Sequence, residues 1–389
     1  MDIYLDNNRM TRVDEQVLSA MRPVLEGEYG DLFALHSAGA KSRKVYHEAL
    51  DKVYASLHAS SDDTIVFTSG GAESNSMVFQ STYLHYILTG RKNNVIVGER
   101  ESLSVMKAAK FLESQGCRVN YLPVNSDGVV ESERVLDYIT PRTALVSVSM
   151  VDGESGAINP IEEIAKICAD FDVPLHCDAT HAIGKIDIDL QDSGIDFLTI
   201  SAETLHAPAG TGALYIRKGR ELIPLIHGER GGAEILRGGP LNLAGIAGLG
   251  KAVELASDAL SFEMEDVREL RDSLEESISG IDGSMVFVPW AMRSPNTLLC
   301  AFEGVDSESL LYELNRDSIQ AYSPSVNPYG NWDSKSIVKA VDADRNLRFS
   351  TIGFALSRFN TEEEMEKTAE SIKRAVEYLR SFSPSEEKR

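Results

Sequence analysis

Residues 197–215, FLTISAETLHAPAGTGALY, constrain the fold of this 389-residue chain more than any other stretch. An apolar run holding Phe197, Leu198 and Ile200 ends in small and polar residues. A Pro-Ala-Gly-Thr-Gly turn follows, and a second apolar run begins at Ala213. Two buried strands joined by a tight glycine-rich connection belong in an α/β sheet, and such connections commonly hold ligands. The connection carries Glu203 and His206 as its titratable side chains, and it contains no lysine.

The same punctuation recurs along the chain. Strands are predicted at 64–67, 95–97, 119–122, 144–149, 173–177, 197–200 and 212–216, with helices at 44–57, from about 72, and at 103–115, 127–139 and 161–170. This rhythm predicts an α/β fold built on a large, mostly parallel seven-stranded sheet with helices on both faces. Ligands in such sheets sit beyond the strand C-termini, where Gly70, Ser102, Asp152, Asp178 and Thr204 should gather. A long helical stretch after Gly239 leads to a smaller α+β unit with strands at 285–288, 297–302 and 347–354. Thr361 followed by Glu364 forms a capping box for the last helix. The expected division is a large domain over 14–255, a small domain made of 1–13 and 256–382, and a frayed tail at 383–389.

Composition narrows the classes of function. The formal net charge of −22 disfavours nucleic acid and acidic membranes as partners. No apolar run reaches the length of a membrane span. The first residues, MDIYLDNNRM, have no basic segment followed by an apolar core, so a cytoplasmic protein is expected. Cys117, Cys168, Cys177 and Cys300 are irregularly spaced in apolar surroundings, which reads as buried reduced thiols rather than a disulfide or zinc framework. His181, His206 and Asp178 lack a recognised metal-ligand spacing, and no metal is expected. The segment TIVFTSGGAES is a strand, a turn and a helix start, whose backbone N–H groups suit an anion; alone it is a weak signal.

Nearly the whole chain resembles the cysteine desulfurases, the NifS- and IscS-like branch of the class V aminotransferases, which share fold type I of the pyridoxal phosphate enzymes. The resemblance rests on collinear motifs: YLDNN at Tyr4, ALHSAG at Ala34, FTSGGAES at Phe67 and YLPVNSDGVV at Tyr121. It continues through GAINPIEEIAKI at Gly156, HCDATHAIGKIDID at His176, GTGALYIRKG at Gly210 and SRFNTEEEM at Ser357. It implies a homodimer that works with sulfur or iron–sulfur assembly proteins. It also implies a lysine imine to the cofactor, an aspartate on the pyridine nitrogen, a stacking histidine, a phosphate cradle, a substrate-binding arginine and a loop cysteine.

Compared residue by residue, Gly70, Gly71, Asp178, His181 and Ser201 correspond to cofactor-binding positions, with His181 where the family usually has glutamine. The rest departs. Thr204 stands at the imine lysine, and the nearest lysine, Lys218, lies past the next strand. Ser102 stands at the stacking histidine, Ala72 and, within about a residue, Pro240 at two phosphate-binding threonines, and Gly353 at the substrate arginine. The nucleophile loop reads Ala321, Tyr322, Ser323, Pro324, Ser325, Val326, and no cysteine lies near it. Losing all these groups predicts loss of cysteine desulfurase chemistry, and Glu203 and Asp152 add negative charge that disfavours a phosphate.

Two functions follow as expectations. One is a catalytically inactive homologue kept as a homodimeric scaffold or regulatory partner in sulfur or iron–sulfur metabolism. The other is an enzyme with altered chemistry in the same cleft. It would bind pyridoxal phosphate or another anion noncovalently, since covalent pyridoxal phosphate is not expected. Asp178, at the end of a buried strand, needs a partner, and His181, three residues on, is the candidate.

Overall fold

A computed structural model describes residues 2–229, 236–289, 292–324, 337–340 and 345–382. The chain begins with strand β1 (Ile3–Tyr4) and helices α1 (Glu15–Glu26) and α2 (Ser37–Ser56). It then alternates through β2 (Thr64–Thr68), α3 (Gly71–Thr82), β3 (Asn94–Gly98), α4 (Leu103–Ser114), β4 (Arg118–Leu122) and β5 (Thr143–Ser147). Helix α5 (Ile161–Asp170), β6 (Leu175–Asp178), β7 (Phe197–Ser201) and β8 (Gly212–Ile216) follow, and α6 (Leu243–Asp258) packs against α1 and α2.

Seven of these strands form one sheet in the order β2-β8-β7-β6-β5-β3-β4. Strand β8 runs antiparallel to both neighbours, and the other pairings are parallel. The expected α/β fold, with a large, mostly parallel seven-stranded sheet, is therefore present. Two apolar clusters cover its faces, one centred on Val53, Phe67 and Leu198, the other on Phe79, Val97 and Leu214. Burial on both sides explains why β5, β7 and β8 read as apolar runs without alternation.

The remaining strands are β9 (Ser284–Val286), β10 (Thr297–Phe302), β11 (Ile319–Gln320) and β12 (Thr351–Ala355). A three-stranded antiparallel sheet has the order β12-β10-β9, and β1 pairs in parallel with β11. The N-terminal strand thus forms a separate two-stranded sheet beside it, and the Asn7 N–H donates to the carbonyl of Ala355 at the end of β12. The helix Glu362–Arg380 starts with the predicted capping box of Thr361 and Glu364.

Three predicted elements differ. The helix predicted at 44–57 starts earlier, at Ser37, with His36 Nδ1 accepting from the Gly39 N–H as its cap. Over 127–139 a short 3₁₀ turn, Ser132–Asp137, replaces the helix. The Asn125 side chain accepts from the N–H groups of Asp127 and Val129, and Gly128 has φ +74°, so a turn takes up the start of the segment. The predicted strand at 347–354 begins later, at Thr351, because Arg345–Phe349 forms a 3₁₀ turn whose Leu347 carbonyl accepts from Thr351 Oγ1.

Candidate functional site

The C-terminal ends of β2, β3, β6 and β7 bring four turns together. Strand β6 delivers Asp178 as its last residue, where it would be isolated in a low dielectric unless hydrogen-bonded. Asp178 Oδ2 accepts from Ser102 Oγ at 2.8 Å and from Asn75 Nδ2 at 2.9 Å. Its Oδ1 accepts from Thr180 Oγ1 at 2.6 Å and from Thr180 N–H at 3.0 Å. Burial opposes ionisation, but the hydrogen bonds from Thr180, Asn75 and Ser102 outweigh it and hold the carboxyl below its usual range. His181 is not the partner: its Nδ1 makes no hydrogen bond, and its ring lies on Gly153, where a β-carbon would come within 2.4 Å of Nε2. Burial, with the nearby Lys185 charge, pushes the His181 imidazole down to about 4.

Ser102 caps helix α4 as well as serving Asp178. Its short hydroxyl reaches into the aspartate network, and it offers no ring to stack on a flat ligand. Thr204 follows β7 on a single 3₁₀ turn and is buried. Its hydroxyl donates to the Thr180 carbonyl at 2.6 Å, so Thr180 joins Thr204 to Asp178. A cavity of about 20 Å³ adjoins Thr204, lined also by Lys185, His206, Glu263 and Arg358, and it has room for about one water. Lys185 is buried there, its Nζ 3.5 Å from Asn8 Oδ1.

The turn before α3 has the geometry of an anion cradle. Gly70 adopts φ +141°, a region that favours glycine, and Gly71 opens the helix. Three of its donors, Ser69 N–H, Gly71 N–H and the Ser201 hydroxyl, are already engaged. Gly71 N–H donates to Ser201 Oγ at 3.0 Å, and Ser201 Oγ donates to Glu203 Oε2 at 2.6 Å. Ser69 N–H donates to Glu73 Oε2 at 2.8 Å, and Arg237 Nε lies 3.2 Å from Glu73 Oε1. Ala72 offers no hydroxyl, and Pro240 contributes its carbonyl to Arg237.

On the opposite wall, Arg100 is buried and binds Asp152 through Nε and Nη2, both at 3.1 Å, and Glu154 through Nη2 at 2.7 Å. Burial opposes the Asp152 charge, yet Arg100 overcomes it and holds the carboxyl low. The extra negative charge expected from Asp152 is thus neutralised within the wall, and Glu203 remains as the added acid of the cradle. Arg100 was not legible as a site residue; the signal was a charged Arg-Glu pair directly after a buried strand.

The segment around 321 carries no nucleophile among its described residues. Ala321 packs at the edge of the small core, and Ser323 Oγ donates to the Thr351 carbonyl. Pro324 is partly buried, and Ser325 and Val326 lie outside the described residues. Tyr322 turns inward: it exchanges backbone hydrogen bonds with Gly353, and its hydroxyl donates to the Glu154 carbonyl at 3.0 Å. Gly353, with no side chain, admits that ring. The four cysteines are free and buried, and burial pushes the Cys117 thiol up to about 11 and Cys168 to about 12. His206 is held apart from Asp178, with Nδ1 3.0 Å from the Arg12 carbonyl and its ring edge-on to Phe359. Among the described residues no cluster of three or more histidine, cysteine or acidic side chains suits a metal ion, and no helix is long and apolar enough to cross a membrane.

The chain belongs to the class V aminotransferase family, whose profile, described as Aminotransferase class-V, matches residues 3–367. It is similar to cysteine desulfurase IscS of Dictyoglomus turgidum, with 34% identity over 98% of this chain and 96% of that one. Cysteine desulfurase NifS of Azotobacter vinelandii is 36% identical over 98% of this chain and 94% of its own. Among solved structures, one titled NifS-like protein superposes with a TM-score of 0.90 at 30% identity, covering 97% of this chain and all of the other.

The fold family implies pyridoxal phosphate, and the residues present do not fit it. Position 204 has no amine, Ser69 N–H, Gly71 N–H and the Ser201 hydroxyl are engaged by Glu73, Ser201 and Glu203, and both Asp178 oxygens are saturated by the protein.

Proposed function

We propose that this chain is a catalytically inactive relative of the cysteine desulfurases, retained as a homodimeric scaffold or regulatory partner in sulfur or iron–sulfur metabolism. The observation that carries this reading is Thr204, buried and bound to the Thr180 carbonyl at the position of the imine lysine. A hydroxyl cannot form an imine, so covalent pyridoxal chemistry has no starting point there. Loss of the loop cysteine and the substrate arginine removes the sulfur acceptor and the carboxylate clamp independently.

A retained fold with an exposed apolar surface supports an interaction role. Tyr29 is 84% exposed and Leu35 98%, close in sequence to the exposed Leu25 and Phe33. The strong negative charge suits a basic partner. Noncovalent anion binding is the second reading; the Gly70–Gly71 turn and Ser201 favour it, and Glu203 opposes it.

The test is turnover and mass. Incubated with pyridoxal phosphate and cysteine, the protein should release no sulfide or alanine above a protein-free control, and it should sediment as two chains. Catalytic sulfide release would contradict the proposal, and a monomer would remove its homodimeric part.

A further inference from the structure

The cradle at the start of α3 retains a backbone suited to an oxyanion while Ser69 N–H, Gly71 N–H and the Ser201 hydroxyl serve side chains of the same protein. Gly70 keeps the positive φ, and a β-carbon on Gly71 would meet Thr180 Oγ1 at 3.3 Å and Ser201 at 3.4 Å, so the turn fits closely against β7. A twelve-residue helix begins there with its N–H groups facing the turn.

We infer that Glu203 is a built-in anion that, through Ser201, takes the place of a ligand phosphate in this cradle. The inference rests on the reading of the cleft as catalytically inactive and adds a separate cause for it: phosphate is excluded independently of the missing amine. Ser201 has one hydroxyl proton, and it is directed at Glu203 Oε2 at 2.6 Å. A phosphate in the cradle would have to displace that carboxylate or stand beside it. Two like charges a few ångströms apart repel strongly where water is partly excluded.

The two carboxylates of the cradle are not equivalent. Glu73 is buried and answered by Arg237 and by Ser69 N–H. Glu203 is only partly buried, and Ser201 supplies the one side-chain hydrogen bond seen to it among the described residues. Glu203 is therefore the member whose removal should free the Ser201 hydroxyl without unbalancing a buried ion pair.

Pyridoxine 5′-phosphate lacks the aldehyde and cannot form an imine, so it reports on the cradle alone. It would be titrated calorimetrically into the wild-type protein and the variants Glu203→Ala, Glu203→Gln and Thr204→Lys. Glu203→Ala should bind at least roughly tenfold more tightly than wild type, as expected for removing a like charge and freeing a donor. Glu203→Gln, which keeps the size and loses the charge, should fall between them and serves if the alanine variant does not fold. Thr204→Lys should bind no better than wild type. Folded Glu203 variants with wild-type affinity would overturn the inference, as would a Thr204→Lys protein that binds as tightly as Glu203→Ala. Imine formation by the wild-type protein with pyridoxal phosphate would instead defeat the reading of an inactive cleft, so the two failures are distinguishable.

Discussion

The ring of Tyr322 lies against the α-carbon of Gly353, so that a β-carbon built on Gly353 would come within 2.2 Å of the ring Cζ. The two residues exchange backbone hydrogen bonds, Gly353 N–H to Tyr322 O at 2.7 Å and Tyr322 N–H to Gly353 O at 3.1 Å. A side chain of any size at 353 therefore requires the tyrosine to leave. Gly353→Ala should destabilise by about 1–3 kcal/mol through overpacking. The penalty should largely vanish in a Tyr322→Ala background, read as a coupling energy in a denaturant-melt cycle. Additive effects would mean that the ring does not occupy this space.

Asp178 is a structural acceptor, fully used by Ser102, Asn75 and Thr180. Asp178→Ala should cost about 2–4 kcal/mol, because it leaves several buried donors without partners. Ser102→Ala should cost only about 1 kcal/mol, the net value of one hydrogen bond. Urea melts of the two variants would separate these values, and equal losses would deny the network its centre.

Arg100 and Asp152 form a buried pair, each with a side chain 5% exposed. Arg100→Leu leaves Asp152 and Glu154 without their cation and should cost about 3–5 kcal/mol. Lys218→Ala removes an exposed bridge to Asp62, with side chains 69% and 62% exposed, and should change the melt little. The contrast should persist at high salt, which screens the surface pair far more than the buried one.

Acid should destabilise the fold through its buried histidines. His176, His181 and His206 are buried, and burial pushes each imidazole down to about 4. In the unfolded chain all three take up protons near pH 6.5, whereas the native protein does so near pH 4. Unfolding therefore binds about three more protons on the histidines across that window, opposed by Asp6 and Glu101, whose carboxyls burial pushes up, Asp6 to about 6, so that the native state protonates them first. Denaturant melts between pH 7 and 5 should show stability falling with pH, less steeply than the roughly 4 kcal/mol per pH unit that three full protons would give. His206→Gln should reduce that slope by about one proton.

The large sheet was legible because its strands are short apolar runs punctuated by glycine and by acidic or hydroxyl residues, a pattern set by burial on both faces. The capping box at Thr361 was legible because a cap is local chemistry. Partnerships across the cleft were not. His181 follows Asp178 by three residues, yet Thr180, at two, has the geometry to place both its N–H and its hydroxyl on Oδ1. Tyr322 filling the space beside Gly353 depends on two segments thirty residues apart whose pairing no periodicity encodes. Arg100 has its partners Asp152 and Glu154 at 52 and 54 residues' remove, a separation that local pattern does not encode. The position of Thr204 was readable from the resemblance, but its bond to Thr180 came only from the fold.

Under the proposed function, this cleft does not carry out pyridoxal chemistry. Stoichiometric pyridoxal phosphate would be added at neutral pH, the visible spectrum recorded, and the sample reduced with borohydride for peptide mass mapping. No imine absorbance and no stoichiometric phosphopyridoxyl-lysine are expected anywhere in the cleft, Lys185 included. An absorbing imine that cysteine discharges with release of sulfide, or a saturable adduct on Lys185, would contradict this expectation.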